Sequence, residues 1–372
     1  MSMRVISVDQ LKAFNAQSIF GRTAPPLGID FGAGALKVLQ VTSREPVTLV
    51  GAACIHTPED LRRDAMGRLA FQIEALPRLL RAAGLKARRA VCSIPVGQTI
   101  CKHLRVPRPE GASIASVVKT AVPMQLGVDP GSIVFRHVEV CDAGGGKAEV
   151  ICMATARDLV DRLMRTIHEN KLEPVGMHNE FTALLEACKG LVKGDDPTLY
   201  IDLGAGSTKA VIAHGEKMIF AKAIEIGGFH LDDAICRQRK VSVADANAIR
   251  RSMEKLTLSA EERQRDPVVA VASEDLSEPL EILTDELAMC LRYHESLFGT
   301  KRVIKVVFVG GESRHTALCQ HIARALHLPA QVADPFARVA RTGNEPCVGV
   351  DMSKPQPGWA MTLGLCVGPT DL

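Results

Sequence analysis

"LGIDFGAGALK" at residues 27–37 and "LYIDLGAGSTK" at residues 199–209 share the pattern Asp-x-Gly-x-Gly-x-x-Lys. Both stretches begin with an apolar run typical of a buried strand, and each is followed by two further strand-like runs. One copy of this pattern is most often an ordinary hairpin turn. Two copies, each opening a triplet of strands, indicate an internal repeat and predict an α/β protein of two similar lobes.

The composition is that of a globular protein with a sizeable core. Of the 372 residues, 47% are hydrophobic and 23% are charged, and the formal net charge is +3. Well-mixed charges and an aromatic content of 4% argue against nucleic-acid binding. The eleven cysteines include no Cys-x-x-Cys pair, so we expect reduced core thiols. Because no apolar run approaches the roughly 18 residues of a membrane span and no signal-peptide core is evident, we expect a cytoplasmic protein.

Five units are predicted along the chain. They are an N-terminal appendage (1–26), a first lobe (27–88 with 172–192), an inserted strand-rich unit (89–171), a second lobe (193–228 with 300–372) and a helical subdomain of the second lobe (229–299). The spacing of Leu11, Phe14 and Ile19 predicts a helix in the appendage. The polar run at 254–267 indicates an exposed excursion within the helical subdomain.

The inserted unit has the features of an interaction module rather than a catalytic one. Its tract "CDAGGGK" (141–147) lies between two alternating strands and has no helix after it, which favours a hairpin turn over a phosphate loop. Two of its histidines, His103 and His137, stand alone in strands, and no cluster of titratable groups is evident. We therefore expect this unit to bind an extended peptide along a strand edge or groove.

The repeated turns have the chemistry of a phosphate site. Glycines allow successive backbone N–H groups to surround an anion, and the strand-end aspartates can hold Mg²⁺ through water. Facing turns would bind a polyphosphate from both sides, with the two lysines offsetting its charge. The predicted cofactor contacts are Asp30, Gly32, Ala33, Gly34, Ala35 and Lys37 in the first turn, Asp202, Gly204, Gly206, Ser207, Thr208 and Lys209 in the second, and Gly227 and Gly228 after its third strand, with Asp30 and Asp202 as the metal residues.

A third motif completes this pattern. "VVFVGGESRHTAL" (306–318) is an apolar strand that runs into Gly310 and Gly311 and then into a helix. The glycines would let a flat ring approach the backbone, and the planar guanidinium of Arg314 can stack on that ring. The alternative is an ordinary strand–helix turn.

These three motifs, in this order, resemble those of the actin/Hsp70/sugar-kinase superfamily. Within it, the chain is most similar to the PilM family of type IV pilus assembly proteins, with the FtsA family next. The similarity covers about residues 27–368 and includes the inserted unit and four stretches. They are "IEIGGFHLDDAI" (224–235), "LAMCLRYHESLFGTKRVIKVVFVGG" (287–311), "ADPFARV" (333–339) and "GWAMTLGLCVG" (358–368).

The resemblance implies an actin-like two-lobe ATPase fold of duplicated RNase H-like domains with an inserted α+β subdomain. It implies ATP and Mg²⁺ as cofactors, and a scaffold that binds the N-terminal cytoplasmic tail of a PilN-like protein at the inner membrane. "HNEFTALLEA" (178–187) is similar to the connecting helix of the Hsp70 and MreB branches, which implies a catalytic role for Glu180. Ala33 and Ala35 replace the usual Ser or Thr hydroxyls, so we expect slow ATP hydrolysis at best.

Two alternatives remain open at this point. An FtsA-like cell-division or filament ATPase would also self-associate, but it normally carries a C-terminal amphipathic helix, and the end "CVGPTDL" shows none. A small-molecule kinase would need a catalytic aspartate, for which Asp232 and Asp233 are candidates. Their place at a predicted helix start favours interaction with its positive end instead, and Glu180 has the same alternative role.

Overall fold

The computed structural model describes residues 25–42, 46–111, 113–191, 194–253, 276–299 and 301–370. The predicted appendage helix and the polar excursion at 254–267 lie outside these residues. The strands are, in chain order, β1 Leu27–Phe31, β2 Ala35–Val41, β3 Leu49–His56, β4 Arg89–Ile94, β5 Thr99–Pro107, β6 Ile133–Gly144, β7 Lys147–Ala156, β8 Glu173–Asn179, β9 Pro197–Leu203, β10 Thr208–His214, β11 Lys217–Ile224, β12 Lys305–Val309, β13 Ala330–Val332 and β14 Cys347–Val348. The helices are α1 Ala65–Ala82, α2 Ile114–Leu126, α3 Arg157–Glu169, α4 Glu180–Cys188, α5 Gly228–Arg239, α6 Val243–Met253, α7 Ser277–Phe298, α8 Thr316–Ala325 and α9 Ala360–Val367.

The two lobes repeat one sheet topology. The first sheet has the order β14–β3–β2–β1–β4–β8 and the second has the order β11–β10–β9–β12–β13. In each, the first three strands of the lobe form an antiparallel meander, and parallel strands follow on the other side of the strand that carries the aspartate. The duplication confirms the predicted α/β two-lobe, actin-like fold.

The inserted unit is smaller than the sequence analysis predicted. Its antiparallel sheet, in the order β5–β7–β6, carries α2 on one face and packs its other face on β11 of the second lobe. The predicted range 89–171 also included β4 and α3. The structure places β4 between β1 and β8, and α3 packs on the first sheet through Leu163 and Ile167. "CDAGGGK" is the predicted hairpin, because β6 and β7 are antiparallel neighbours on either side of it.

The last part of the chain returns to the first lobe. The sequence analysis assigned 300–372 to the second lobe, but β14 pairs with β3 of the first sheet, and α9 packs on α4 and β1. Small residues permit this packing. A Cβ atom added to Gly364 would lie 1.9 Å from the carbonyl oxygen of Ala183, and one added to Gly28 would lie 2.6 Å from that of Thr362. Such long-range packing leaves no local periodicity by which the sequence could reveal it.

Candidate functional site

The two repeated turns face each other between the lobes and touch at their tips. A Cβ atom added to Gly34 would lie 2.8 Å from the Cβ atom of Ala205, and one added to Gly206 would lie 2.8 Å from that of Ala33. Any larger residue at either glycine would push the turns apart. The contact therefore brings the two predicted phosphate turns to one place.

The second turn is supported from behind by the start of α5. A Cβ atom added to Gly227 would lie 2.6 Å from the backbone nitrogen of Ser207, and the backbone of Gly228 donates to the carbonyl of Gly204 at 3.0 Å. The Thr208 hydroxyl donates at 2.7 Å to the carbonyl oxygen that precedes Gly227. Thr208, Gly227 and Gly228 thus shape the turn from outside the cavity.

Two carboxylates share one lysine at the base of the turns. Lys209 Nζ lies 2.7 Å from Asp202 Oδ2 and 2.7 Å from Glu180 Oε2, and all three residues are buried. Burial disfavours the charged ammonium, but the carboxylates outweigh it and raise the pKa of Lys209. The other oxygen of Glu180 accepts a hydrogen bond from the backbone of Val96 at 2.9 Å. The N-cap of α4 is Asn179, which accepts from the backbone of Thr182, and Glu180 is the acidic residue in the first turn of that helix.

Asp30 has a different environment. Its Oδ1 accepts a hydrogen bond from Ser93 Oγ at 3.0 Å, and Ser93 in turn accepts from the backbone of Phe31 at 2.9 Å. Burial raises the pKa of Asp30 to about 6, because desolvation exceeds the effect of the neighbouring lysines. Gln72 of α1 donates to the carbonyl oxygen of Gly32 at 2.8 Å and holds the first turn in place.

The two glycines of the third motif differ in their surroundings. Gly310 has a φ of 99°, and a Cβ atom there would lie 2.3 Å from Asp202 Oδ1 and from the carbonyl oxygen of Leu203. The backbone N–H of Gly310 donates to the carbonyl oxygen of Pro357 at 2.9 Å. Gly311 has open space where its Cβ atom would be, and it lines the cavity. The first glycine therefore packs the loop on the second turn, and the second leaves room for a ligand.

Two other basic residues of the predicted motifs, Arg314 and Lys37, contact the segment before α9. Arg314 donates to the side chain of Gln356, and Lys37 donates to the carbonyl oxygen of Gly358. The ammonium of Lys37 also lies 5.9 Å from the centre of the Trp359 ring. These contacts join the first turn and the third motif to a single segment of the chain.

A cavity of about 1120 Å³ lies between the lobes, where these motifs meet. Most predicted residues line it, and four do not: Thr208, Gly227, Gly228 and Gly310. The predicted residues that line it are Asp30, Gly32, Ala33, Gly34, Ala35, Lys37, Glu180, Asp202, Gly204, Gly206, Ser207, Lys209, Gly311 and Arg314.

Several residues of this site were not predicted from the sequence. Ser93 lies near the end of β4, which pairs in parallel with β1, and its hydroxyl donates to Asp30 at 3.0 Å. Arg250 and Glu312 form an ion pair at the wall of the cavity, and Gln72 contacts the first turn from α1. These contacts join residues far apart in sequence, and no local pattern indicated them.

The site suits a hydrated magnesium ion. In the part of the chain that the structure describes, no three His, Cys, Asp or Glu side chains are arranged to hold a metal directly. Mg²⁺ usually keeps several waters and takes one or two carboxylates plus phosphate oxygens, so Asp30 and Asp202 fit this type of site. Glu180 lines the same cavity, and Lys209 pairs with Glu180 and Asp202, whereas Asp30 has both Lys37 and Lys209 in its neighbourhood.

A profile of the family described as Type IV pilus assembly protein PilM matches residues 28–368. The chain belongs to the PilM family. No curated protein matches this PilM-family sequence. A solved structure described as the PilM-PilN type IV pilus biogenesis complex is similar, with 21% identity, a TM-score of 0.75 and coverage of 94% of this chain and 100% of that chain.

Further similar structures show lower scores. Ethanolamine utilization protein EutJ from Carboxydothermus hydrogenoformans is 14% identical, with 93% of this chain and 90% of that chain covered and a TM-score of 0.49. MreB5 of Spiroplasma citri bound to ADP is 11% identical, with 85% of this chain and 94% of that chain covered and a TM-score of 0.48. Among the described residues of this PilM-family chain, none of the helices combines the length and apolarity needed to cross a membrane.

Proposed function

We propose that this PilM-family protein binds Mg-ATP between its lobes and acts as a nucleotide-regulated scaffold for type IV pilus or related secretion machinery. The observation that supports this most is the meeting of the two turns, at Gly34 with Ala205 and at Gly206 with Ala33, beside three buried carboxylates. The backbone N–H groups of the turns bind the phosphates, and Asp30 and Asp202 hold the water shell of Mg²⁺.

ATP acts mainly as a structural ligand in this proposal. Glu180, the proposed catalytic residue, has both oxygens engaged, by Lys209 and by the backbone of Val96. These contacts fix the position of the carboxylate, and its remaining lone pairs can accept a hydrogen bond from a water molecule near the γ-phosphate. Ala33 and Ala35 provide no hydroxyl donor to the phosphates. Slow turnover follows, and bound ATP stabilises the closed protein by mass action.

The partner is the N-terminal cytoplasmic tail of a PilN-like inner-membrane protein, through which this cytoplasmic protein associates with the membrane. The solved PilM-PilN complex supports such a partner. The inserted unit is the proposed binding region, because β5 and β6 are the two edge strands of its three-stranded sheet. The backbone groups of an edge strand can pair with an added peptide strand. Lys217 of the second lobe donates to the carbonyl oxygen of Val140 on β6 at 2.9 Å, so the inserted unit contacts that lobe directly.

A pull-down with a peptide of the partner's tail tests this proposal. Ile100, on edge strand β5, is 44% exposed, and Met124, on α2, is 75% exposed. Ile100→Asp should reduce peptide capture at least about tenfold, which corresponds to about 1.4 kcal/mol. Met124→Asp, the matched control, should leave capture within twofold of the wild type. Equal capture by all three proteins would contradict binding along β5.

The kinase alternative receives no support from the site. A catalytic aspartate needs a carboxylate that can reach a substrate hydroxyl. Asp232 is fully buried and paired with Arg250 and Arg62, and Asp233 is paired with Arg63. Both aspartates are thus engaged in ion pairs rather than free for catalysis.

A further inference from the structure

A chain of alternating charges leads from the third motif to the opposite lobe. Glu312, next to Gly311, accepts a hydrogen bond from Arg250. Arg250 Nε donates to Asp232 Oδ1 at 2.6 Å, and Arg62 Nη2 donates to Asp232 Oδ2 at 2.5 Å. Arg62 belongs to the first lobe, between β3 and α1, whereas the other three residues belong to the second lobe.

The contact made by Arg62 is largely buried and is supported by neighbouring side chains. Its side chain is 12% exposed, and that of Asp232 is fully buried. The guanidinium lies 4.2 Å from the centre of the Phe229 ring, which lines the cavity. Arg68 donates to the carbonyl oxygens of Leu61 and Arg62 and so fixes the segment before α1. Because Arg68 and Phe229 both line the cavity, this contact lies at its rim.

A second pair lies beside the first but in a different environment. Arg63 Nη2 is 2.6 Å from Asp233 Oδ2, and the side chain of Arg63 is 82% exposed. Solvent and salt screen such an exposed pair, so it contributes little to holding the lobes together. Arg62 and Arg63 are therefore adjacent residues with the same chemistry and opposite burial, which makes them a matched test and control.

Opening of the cleft would not leave a buried charge without a partner. If Arg62 moves away, Asp232 still accepts from Arg250 and from Asn247 Nδ2, the latter at 3.0 Å. An unpaired buried carboxylate would be strongly unfavourable, and these two donors remove that barrier. The interlobe contact can therefore form and break while the second lobe stays intact.

We propose that the Arg62–Asp232 pair is a latch that holds the cleft closed and sets the rate at which the nucleotide leaves. The inference rests on the proposed binding of ATP in that cleft, and it assigns the regulation of release to a residue outside the cavity lining. Lids and domain closures commonly limit ligand release in this way. Glu312 and Arg250 connect the latch to the loop at Gly311, so occupancy of the cavity and closure of the latch favour each other.

The test is the release rate of a fluorescent ATP analogue, measured by stopped-flow displacement with excess ATP in Mg²⁺. Arg62→Ala should raise the rate about tenfold, which corresponds to about 1.4 kcal/mol. Arg63→Ala should stay within twofold of the wild type. Arg62→Lys should fall between them, because lysine restores the charge but not the planar stacking on Phe229. Equal release rates for Arg62→Ala and the wild type would overturn the latch.

Small-angle scattering of the nucleotide-free proteins separates failure of the latch from failure of the proposed function. If the wild type binds no analogue, ATP binding fails, and the latch is judged by scattering alone. A larger radius of gyration for Arg62→Ala than for Arg63→Ala, at equal circular dichroism, supports the latch. Equal radii would overturn it.

Discussion

Lys209 connects Asp202, at the end of the second turn, with Glu180, at the start of α4. Both carboxylates are buried, and a charge-assisted pair of this kind is costly to break by removing one partner. Since Lys209 has two acidic partners, the loss of either one leaves it paired. Substitutions at these acids therefore report on ligand binding more than on folding.

Asp202→Ala should weaken Mg-dependent ATP binding at least about tenfold, or about 1.4 kcal/mol. The physical reason is that, in the proposed site, this carboxylate holds the water shell of Mg²⁺. Lys209 keeps its ion pair with Glu180, so the circular dichroism spectrum should stay that of the wild type. Equilibrium titration in Mg²⁺ and in EDTA measures the effect. An unchanged affinity in Mg²⁺ would remove Asp202 from the metal site.

Glu180→Ala should keep ATP affinity within a few-fold and lower an already slow release of phosphate. Glu180→Gln is the matched control, since its amide oxygen can still accept from the backbone of Val96 while the charge is lost. Both variants should lose turnover in a phosphate-release assay, and capture of the partner peptide should stay near normal. Turnover at the wild-type rate in both would leave Glu180 with a structural role only.

At the scale of elements, α9 depends on two glycines that allow close packing. Gly364→Ala would place a Cβ atom 1.9 Å from the carbonyl oxygen of Ala183 in α4. We expect this to lower the free energy of unfolding by about 1–3 kcal/mol, the usual cost of overpacking. Gly97→Ala, where a Cβ atom meets nothing within 4 Å, should change it little. Urea unfolding compares the two, and equal stability would contradict the close packing of α4 and α9.

The contact between β10 and α7 should make stability depend on pH. His214 and His294 face each other with their Nε2 atoms 2.8 Å apart, and His294 is fully buried. Burial, followed by the proximity of His214, lowers the pKa of His294 to about 4. Between about pH 4 and 6.5 the unfolded chain then binds more protons than the folded protein, so stability falls as the pH falls through this window.

When the pH falls from 7.5 to 5.5, the free energy of unfolding of His294→Gln should decrease by roughly 1 kcal/mol less than that of the wild type. His168→Gln, on an exposed position of α3, should behave as the wild type does. Urea unfolding at both pH values measures the difference. The same pH-dependent loss in the wild type and in His294→Gln would show that this histidine does not couple folding to protonation.

The sequence predicted elements well wherever the evidence for them is local. The triplets β1–β3 and β9–β11 were found from their alternating apolar runs and the turns between them, and the hairpin of β6 and β7 was found in the same way. The partners of isolated segments were not found. β4 was assigned to the inserted unit, and β14, with only two residues, was not predicted as part of the first sheet. Parallel pairing joins residues far apart in the chain, so no short pattern reveals it.

At the scale of the whole molecule, the duplicated sheets bring three separate motifs to one cavity between the lobes. The repeat itself was visible in the sequence, because each turn opens the same triplet of strands. The ion pairs at the cavity were not visible in the sequence, since Arg62 and Glu312 lie far along the chain from Asp232 and Arg250. In this PilM-family protein, Arg250 and Glu312 line the cavity and connect it through Asp232 to the interlobe contact with Arg62.

Isothermal titration of the wild-type protein with ATP, in Mg²⁺ and in EDTA, measures whether the cavity between the lobes binds Mg-ATP. We expect one ATP bound per chain in Mg²⁺, with affinity at least about tenfold weaker in EDTA. We also expect saturating Mg-ATP to raise the melting temperature, since a ligand that binds only the folded state stabilises it. Folded protein that shows neither heat of binding nor a thermal shift with Mg-ATP would contradict a nucleotide site formed by the two turns.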